Sequence, residues 1–315
     1  MRIPFDIPKQ KEFDAVGFGL NAVDHLIVVP AYPAFDTKVR FTAYQKSAGG
    51  QTASAMVALQ RLGLKTAYAG RFGSDEAGRF GLLSLKYEDV NLDFAQTIES
   101  AETQLAFIII EEQTGERTIV WDRDERLSYR EDEAPIEVAT RGRVLHLDAH
   151  DPPACAMMAR AARASGAVVT VDVDNIYEGL PDLLPLIDAL ITSSGFPQRL
   201  TGISNLRDAL VQIKTRYGCP LVGATLGKQG AVVLANGEFI ESPAFEVPGG
   251  CRDTTGAGDA FHAGFIYGML NGEELESCLR LGNAVAALKC RGLGARASLP
   301  RVGELGDFLN DTPMY

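Results

Sequence analysis

Residues 253–265 read D-T-T-G-A-G-D-A-F-H-A-G-F. Three small residues, Gly256, Ala257 and Gly258, and a carboxylate, Asp259, open directly onto an apolar run that predicts a helix over 256–271. A helix N-terminus presents four backbone N–H groups without intrahelical partners and about half a positive charge. Glycines there let an anion reach the backbone. Residues 256–258 are therefore a candidate anion hole, with Asp259 beside the anion. A carboxylate so placed can take the proton of an attacking hydroxyl while the N–H groups hold charge developing on a phosphoryl group. The plainer alternative is a first-turn carboxylate favoured by the helix dipole, after glycines that only turn the chain.

Around this stretch the pattern is α/β. R-V-L-H-L-D, A-V-V-T-V-D-V, D-A-L-I-T-S, P-L-V-G-A-T-L-G, A-V-V-L-A and E-F-I-E-S read as strands. Helical patterns such as P-A-C-A-M-M-A-R-A-A-R-A lie among them, and another helix is predicted over 274–289. Strands alternating with helices point to a parallel sheet covered on both faces. Towards the N-terminus, Ala15–Gly19 reads as a buried strand, followed by strands H-L-I-V-V-P and K-V-R-F-T-A-Y-Q. Gly49-Gly50 opens a helix that Gly63 closes, and L-A-F-I-I-I and R-T-I-V-W-D flank a turn at 113–115 as a hairpin. The segments 24–45 and 105–122 have no helix between partners, so they are expected to form a small β-sheet beside the α/β domain, read as a lid.

The bulk composition narrows the function. Of 315 residues, 30 are Lys or Arg and 41 Asp or Glu, a net charge of -11. Such a chain repels polyanions on average, so no nucleic-acid partner is expected. No apolar run reaches the ~20 residues that span a bilayer, no signal-like segment opens the chain, and the cytoplasm is the expected location. The five cysteines (155, 219, 251, 278, 290) form no C-x-x-C pair and read as free thiols. His25, His146, His150 and His262 show no metal-ligand spacing. The P-loop pattern is absent: Gly223-A-T-L-Gly227-Lys228 is one residue too short and lacks the Ser/Thr.

The stretch 253–265 closely resembles the C-terminal signature of the ribokinase family, the phosphofructokinase-B type of carbohydrate and nucleoside kinases. A-G-G-Q-T-A-S-A-M-V-A-L-Q-R-L-G-L-K-T-A-Y-A-G-R-F-G-S-D-E-A-G resembles the N-terminal signature, and order and spacing match over residues 13–300. The resemblance implies a ribokinase-like, doubly wound, mainly parallel sheet with helices on both faces, plus the β-sheet lid. It implies ATP and Mg2+ as cofactors, a small-molecule sugar substrate and no membrane partner. Asp259 becomes the base that activates the acceptor hydroxyl, and 256–258 the anion hole.

Asn21 and Asp24 fall at the sugar-contacting end of the first strand. An amide and a carboxylate suit neighbouring hydroxyls, though both also favour a plain turn. Gly49 and Gly50 match the glycine pair that packs on the sugar, with Gln51 and Ser54 at positions of polar contact. Ser54 stands where ribokinases commonly carry Asn, which points away from ribose. Thr225, Gly227 and Gly230 resemble the turn lining the nucleotide, and Asn283 lies where members pack a helix on adenine. Asp253, Thr255 and Ser298 match positions around a monovalent cation, K+, in several members.

The family's N-x-x-E pair, which organises magnesium and phosphate, is replaced by Ser193 and Phe196. Branches including sulfofructose kinase share that departure and the A-A-L-K-C run, and ketohexokinases share the pattern around E-R-T-I-V-W. These features favour a ketose or hexose derivative over ribose. A nucleoside kinase and a non-catalytic sugar- or nucleotide-binding protein are the alternatives. On the lid, Lys38, Asp122, Arg123 and Arg126 either touch substrate or solvate exposed strands. Val28, Val39, Phe41 and Tyr44 are expected on its outward face, as the contact of a homodimer.

Overall fold

The computed structural model describes residues 1–312. In chain order its strands are β1 (Phe13–Phe18), β2 (Ala22–Val29), β3 (Ala43–Gly49), β4 (Thr66–Ala69), β5 (Arg71–Gly73), β6 (Gln96–Ile98), β7 (Leu105–Glu111), β8 (Arg117–Asp122), β9 (Gly142–Leu147), β10 (Val168–Val173), β11 (Ala189–Ser193), β12 (Leu221–Thr225), β13 (Ala231–Ala235) and β14 (Glu238–Ser242). β10, V-V-T-V-D-V, is buried at every position, as a strand covered on both faces must be. It lies in an eight-stranded sheet of order β14-β13-β12-β11-β10-β9-β1-β4. From β4 to β12 the pairings are parallel, and β13 and β14 add an antiparallel edge.

Two apolar clusters cover the two faces. One is built on Met56, Leu59, Phe261, Phe265 and Leu279, the other on Val138, Met158, Leu183 and Ile213. The helix Ala257–Leu270 buries eleven of its fourteen residues, so it is enclosed rather than amphipathic. Its partner is the helix Leu275–Lys289. A Cβ on Gly264 would lie 2.5 Å from the Leu281 carbonyl oxygen. Glycine is therefore what permits the two helices to approach so closely.

β1 sits between β4 and β9, so the chain order reverses there. Crevices at the carboxyl ends of strands beside such a switch point are where open α/β sheets bind ligands. A second sheet of order β3-β2-β7-β8 lies apart from the first. One of its faces carries Leu26, Val28, Ala106, Ile108 and Ile110, all buried.

Two expectations are corrected here. The segment 38–42 lies outside any strand, and β3 starts at Ala43, paired with Val28. Its partner β2 ends at Val29, and Pro30 follows, which has no N–H to extend the ladder. Val28 is 7% exposed and faces inward, whereas Tyr44, Phe107 and Val120 are exposed.

Candidate active site

A cavity of about 560 Å3 opens between the carboxyl ends of the main sheet and the inner face of the second sheet. Strand ends of the main sheet supply Asp172, Asp174, Ser193 and Thr225. The second sheet supplies Asp24, Ala106, Ile108, Arg117, Ile119 and Trp121. Those residues share one face because register sets Trp121 opposite Ala106, Ile119 opposite Ile108, and Asp24 beside Ala106. His150 and Tyr177 close the wall, with ring centroids 4.8 Å apart, and Trp121 meets His150 edge-on.

The loop before the long buried helix forms one wall of the cavity. Gly256 is its N-cap at φ 77, a left-handed conformation, and a Cβ there would lie 2.7 Å from Cα of Ala295. Gly256, Gly258 and Asp259 line the cavity, and Asp259 is 8% exposed. Burial and then the charge of Asp172 lift the Asp259 carboxyl well above the usual carboxylate range, against the opposing charge of Arg117. Asp172 lies 3.4 Å from Nε2 of His262. Burial pushes the Asp172 carboxyl up, but His262, His146 and the Gln51 amide outweigh that and hold it below its ordinary value. The two carboxyls are thus pushed apart, the pattern that separates a proton acceptor from a fixed charge. Asp174 is raised by burial and by Asp172.

Arg117 reaches this loop from β8. Its Nη1 donates to Oγ1 of Thr254 at 2.8 Å, and that hydroxyl donates to the Gly115 carbonyl at 3.0 Å. The turn of the β7–β8 hairpin is therefore tied to the segment that leads into Gly256.

The other sequence candidates divide. Gly50 (φ 92), Gln51, Thr225 and Thr255 line the cavity. Asn21 does not: its amide donates to the Tyr68 hydroxyl at 3.1 Å and the Arg71 carbonyl at 2.8 Å. Gly49 presents its carbonyl to the guanidinium of Arg296, which also donates to Oγ of Ser54 at 3.2 Å. Gly227 and Gly230 shape the turn after β12, where Leu226 N–H donates to the Gly230 carbonyl at 2.7 Å. Asn283 is buried and donates to Ser242 and Pro243. Asp253 is fully buried, and its carboxylate accepts from the N–H groups of Thr255 and Gly294, each at 2.7 Å. Ser298 faces Gly292, its Oγ 2.1 Å from where a Cβ would stand.

Among the lid residues, Arg123 pairs with Asp151 and Arg126 with Asp124. Neither they nor Lys38 and Asp122 line the cavity. Sequence reasoning missed Arg117, Trp121, Asn175 and Tyr177. The signal available for Trp121 and Arg117 was their common face in an alternating strand.

Asp24 carries a testable consequence of its burial. Desolvation raises its pKa from 3.8 to about 6, against the field of Arg296 and aided by Asp253. The unfolded carboxyl ionises near its ordinary value and the folded one later. The folded state therefore binds more protons in between, and this group's contribution falls as pH rises from 4 to above 6. Two pKa units correspond to about 3 kcal/mol. Asp24→Asn lacks this term. From pH 4 to 7.5 its stability, measured by urea unfolding, should gain about 3 kcal/mol relative to the unsubstituted protein. A pH-independent difference would reject the shift.

A doubly wound sheet with a glycine-opened helix N-terminus in the cleft, a buried carboxylate beside it and a small sheet across the cleft defines a phosphotransferase of the ribokinase-like fold. The match to the model of the pfkB family carbohydrate kinases runs over residues 15–302, and the chain belongs to that family. A sugar kinase of Archaeoglobus fulgidus, itself uncharacterized, is 32% identical over 257 residues, covering 77% of this chain and 98% of its own. The ribokinase of Haemophilus influenzae is 29% identical over 301 residues, with 92% and 96% covered. The structure of Arabidopsis thaliana ribokinase complexed with ribose and ATP superposes with a TM-score of 0.79 at 23% identity, covering 94% of this chain and 98% of that one. At that identity it shows the common fold.

Proposed function

We propose that this carbohydrate kinase transfers the γ-phosphoryl group of ATP to a hydroxyl of a ketose or hexose derivative. The observation that carries the reading is the buried carboxylate of Asp259 in the first turn behind Gly256, in one cavity with Arg117. The acceptor hydroxyl gives its proton to Asp259. Its oxygen bonds to the γ-phosphorus as the bond from that phosphorus to the ADP oxygen breaks. The N–H groups of Gly256 and Gly258 and the Arg117 guanidinium hold the charge on the phosphoryl oxygens, while the Ala257 N–H donates to the Thr254 carbonyl at 3.1 Å and shapes the turn. Trp121, His150 and Tyr177 offer faces for the apolar side of a sugar ring, and Asp24 an acceptor for its hydroxyls.

Phe196 is fully buried in the core, so the place of the missing acid carries no ligand, while Ser193, Asp172 and Asp174 line the cavity. Carboxylates and phosphate oxygens are the hard donors magnesium takes. Asp174, with Asp172 behind it, would hold Mg2+ through its waters, and the ion would supply charge neutralisation on the donor phosphates. A panel of ketoses, hexoses, pentoses and nucleosides, assayed for ADP release with Mg2+ and ATP, tests the reading. Turnover of a ketose or hexose supports it. Preference for a nucleoside replaces the substrate class, and sugar binding without turnover makes the protein a non-catalytic binder.

The second sheet acts as the lid, an insertion in one kinase domain spanning 13–300. Strands β2, β3, β7 and β8 should gain hydrogen-exchange protection when sugar and a non-hydrolysable ATP analogue are added together, as lid closure requires. Unchanged protection in all four would reject closure. The sheet's exposed face, with Tyr44, Phe107 and Val120, is the proposed homodimer contact. A monomer by sedimentation of the same sample would remove that contact. No helix among the described residues is long and apolar enough to cross a membrane, and the five cysteines are free. The cytoplasm is the proposed location, where thiols stay reduced.

A further inference from the structure

At Asp253 the monovalent-cation position does not fit an ion, because the chain's own cation is already there. Lys289 is the last residue of the helix Leu275–Lys289 and is 0% exposed. Its Nζ donates to the main-chain oxygen of Asp253 at 2.8 Å and lies 3.8 Å from the Asp253 carboxylate. Both carboxylate oxygens of Asp253 are engaged as well: Oδ1 accepts from Thr255 N–H and Oδ2 from Gly294 N–H. An ion at Asp253 would have to displace a buried ammonium from its carbonyl, and two like charges cannot share that acceptor.

We propose that Lys289 supplies from within the chain the fixed positive charge that the resemblance assigned to K+, and that it is a positioning residue for the segment 253–258. The ammonium clamps the Asp253 carbonyl. The Asp253 carboxylate in turn holds Thr255 N–H, one residue before Gly256. The charge therefore fixes the start of the anion hole without touching the reacting atoms. The end of a helix is also where a cation is favoured, since the last carbonyls carry partial negative charge. Burial pulls the ammonium's pKa down, and the carboxylate of Asp253 pushes back, so ion pair and hydrogen bond offset the cost of burying a charge at this depth.

The activity arm rests on the kinase reading; the thermal arm does not. Wild-type protein is assayed and melted in 100 mM choline, Na+ or K+ chloride, beside Lys289→Ala and Lys289→Met. The expected wild-type result is kcat/KM constant within about 2-fold, and an unchanged Tm, across the three salts. Lys289→Ala, which leaves room for an ion, should lose about tenfold in kcat, in line with an interaction of about 1.4 kcal/mol. K+ but not choline should restore part of its activity and raise its Tm. Lys289→Met, which fills the space without charge, should lose activity without rescue. Activation of the wild type by K+ of tenfold or more, or a wild-type Tm that rises with K+ over choline, would overturn the proposal. So would a Lys289→Met protein with wild-type kcat. Should neither variant fold, the two wild-type arms decide alone. Should no sugar be phosphorylated, the kinase reading fails while the Tm comparison still decides the role of Lys289.

Discussion

Asp259→Asn should fold with wild-type Tm or above and lose at least ~100-fold in kcat, the lower range for a positioned general base. Asn keeps the size and the first-turn position but cannot take the proton. It also removes a buried charge that burial and Asp172 both disfavour. Stability and turnover should therefore move in opposite directions, which a structural role for the carboxylate does not produce. The raised pKa adds a second signature. The base works only when ionised, so kcat/KM should climb with pH through a limb above the ordinary carboxylate range and then level off. Near-wild-type turnover in Asp259→Asn removes the assignment. An acidic limb at the usual carboxylate pKa removes the electrostatic account of Asp259 while leaving its role intact.

Arg117→Ala should lower kcat by about 100-fold, the scale of losing one preorganised donor to developing charge. Arg117 stands on the second sheet, exposed at its strand, and bonds Thr254 beside the anion hole. Closing the sheet would bring its guanidinium to the transferred phosphoryl group. If Arg117 instead serves only to hold the hairpin turn on Thr254, the loss should appear as a lower Tm and a higher sugar KM, with kcat preserved. Arg117→Lys separates charge from shape. A lysine keeps the charge but not the fork that spans two oxygens, so it should recover part of the kcat lost in Arg117→Ala. No recovery would point to geometry as the larger share.

The sequence by itself determined the α/β class, the small second sheet and the helix that opens behind Gly256. These rest on short-range information: hydrophobic period, glycines at a turn, a carboxylate in a first turn. The predicted helices at 256–271 and 274–289 stand in the structure at Ala257–Leu270 and Leu275–Lys289, and the candidate base Asp259 and the glycines of the turn are contiguous in the chain. The strand expected at 38–45 begins only at Ala43, because Val39 and Phe41 alternate as a strand does while their ladder partner stops at Val29, before Pro30. Only the tertiary structure decided what faces the cavity. Asp24, Arg117, Asp172 and Asp259 meet in one cavity although they are far apart in the chain. Parallel crossovers and the register of β2, β7 and β8 bring them there, and neither is encoded in any local window. The same holds for direction. Asn21, Ser54 and Asn283 carry suitable groups at suitable positions, yet packing commits them to Tyr68, Arg296 and Ser242. Lys289 is the converse case. Nothing in its local sequence singles it out, and only the close fit of its helix against the Asp253 loop buries its amine. A side chain's neighbours across the core set its chemistry, and those neighbours exist only once the chain has folded.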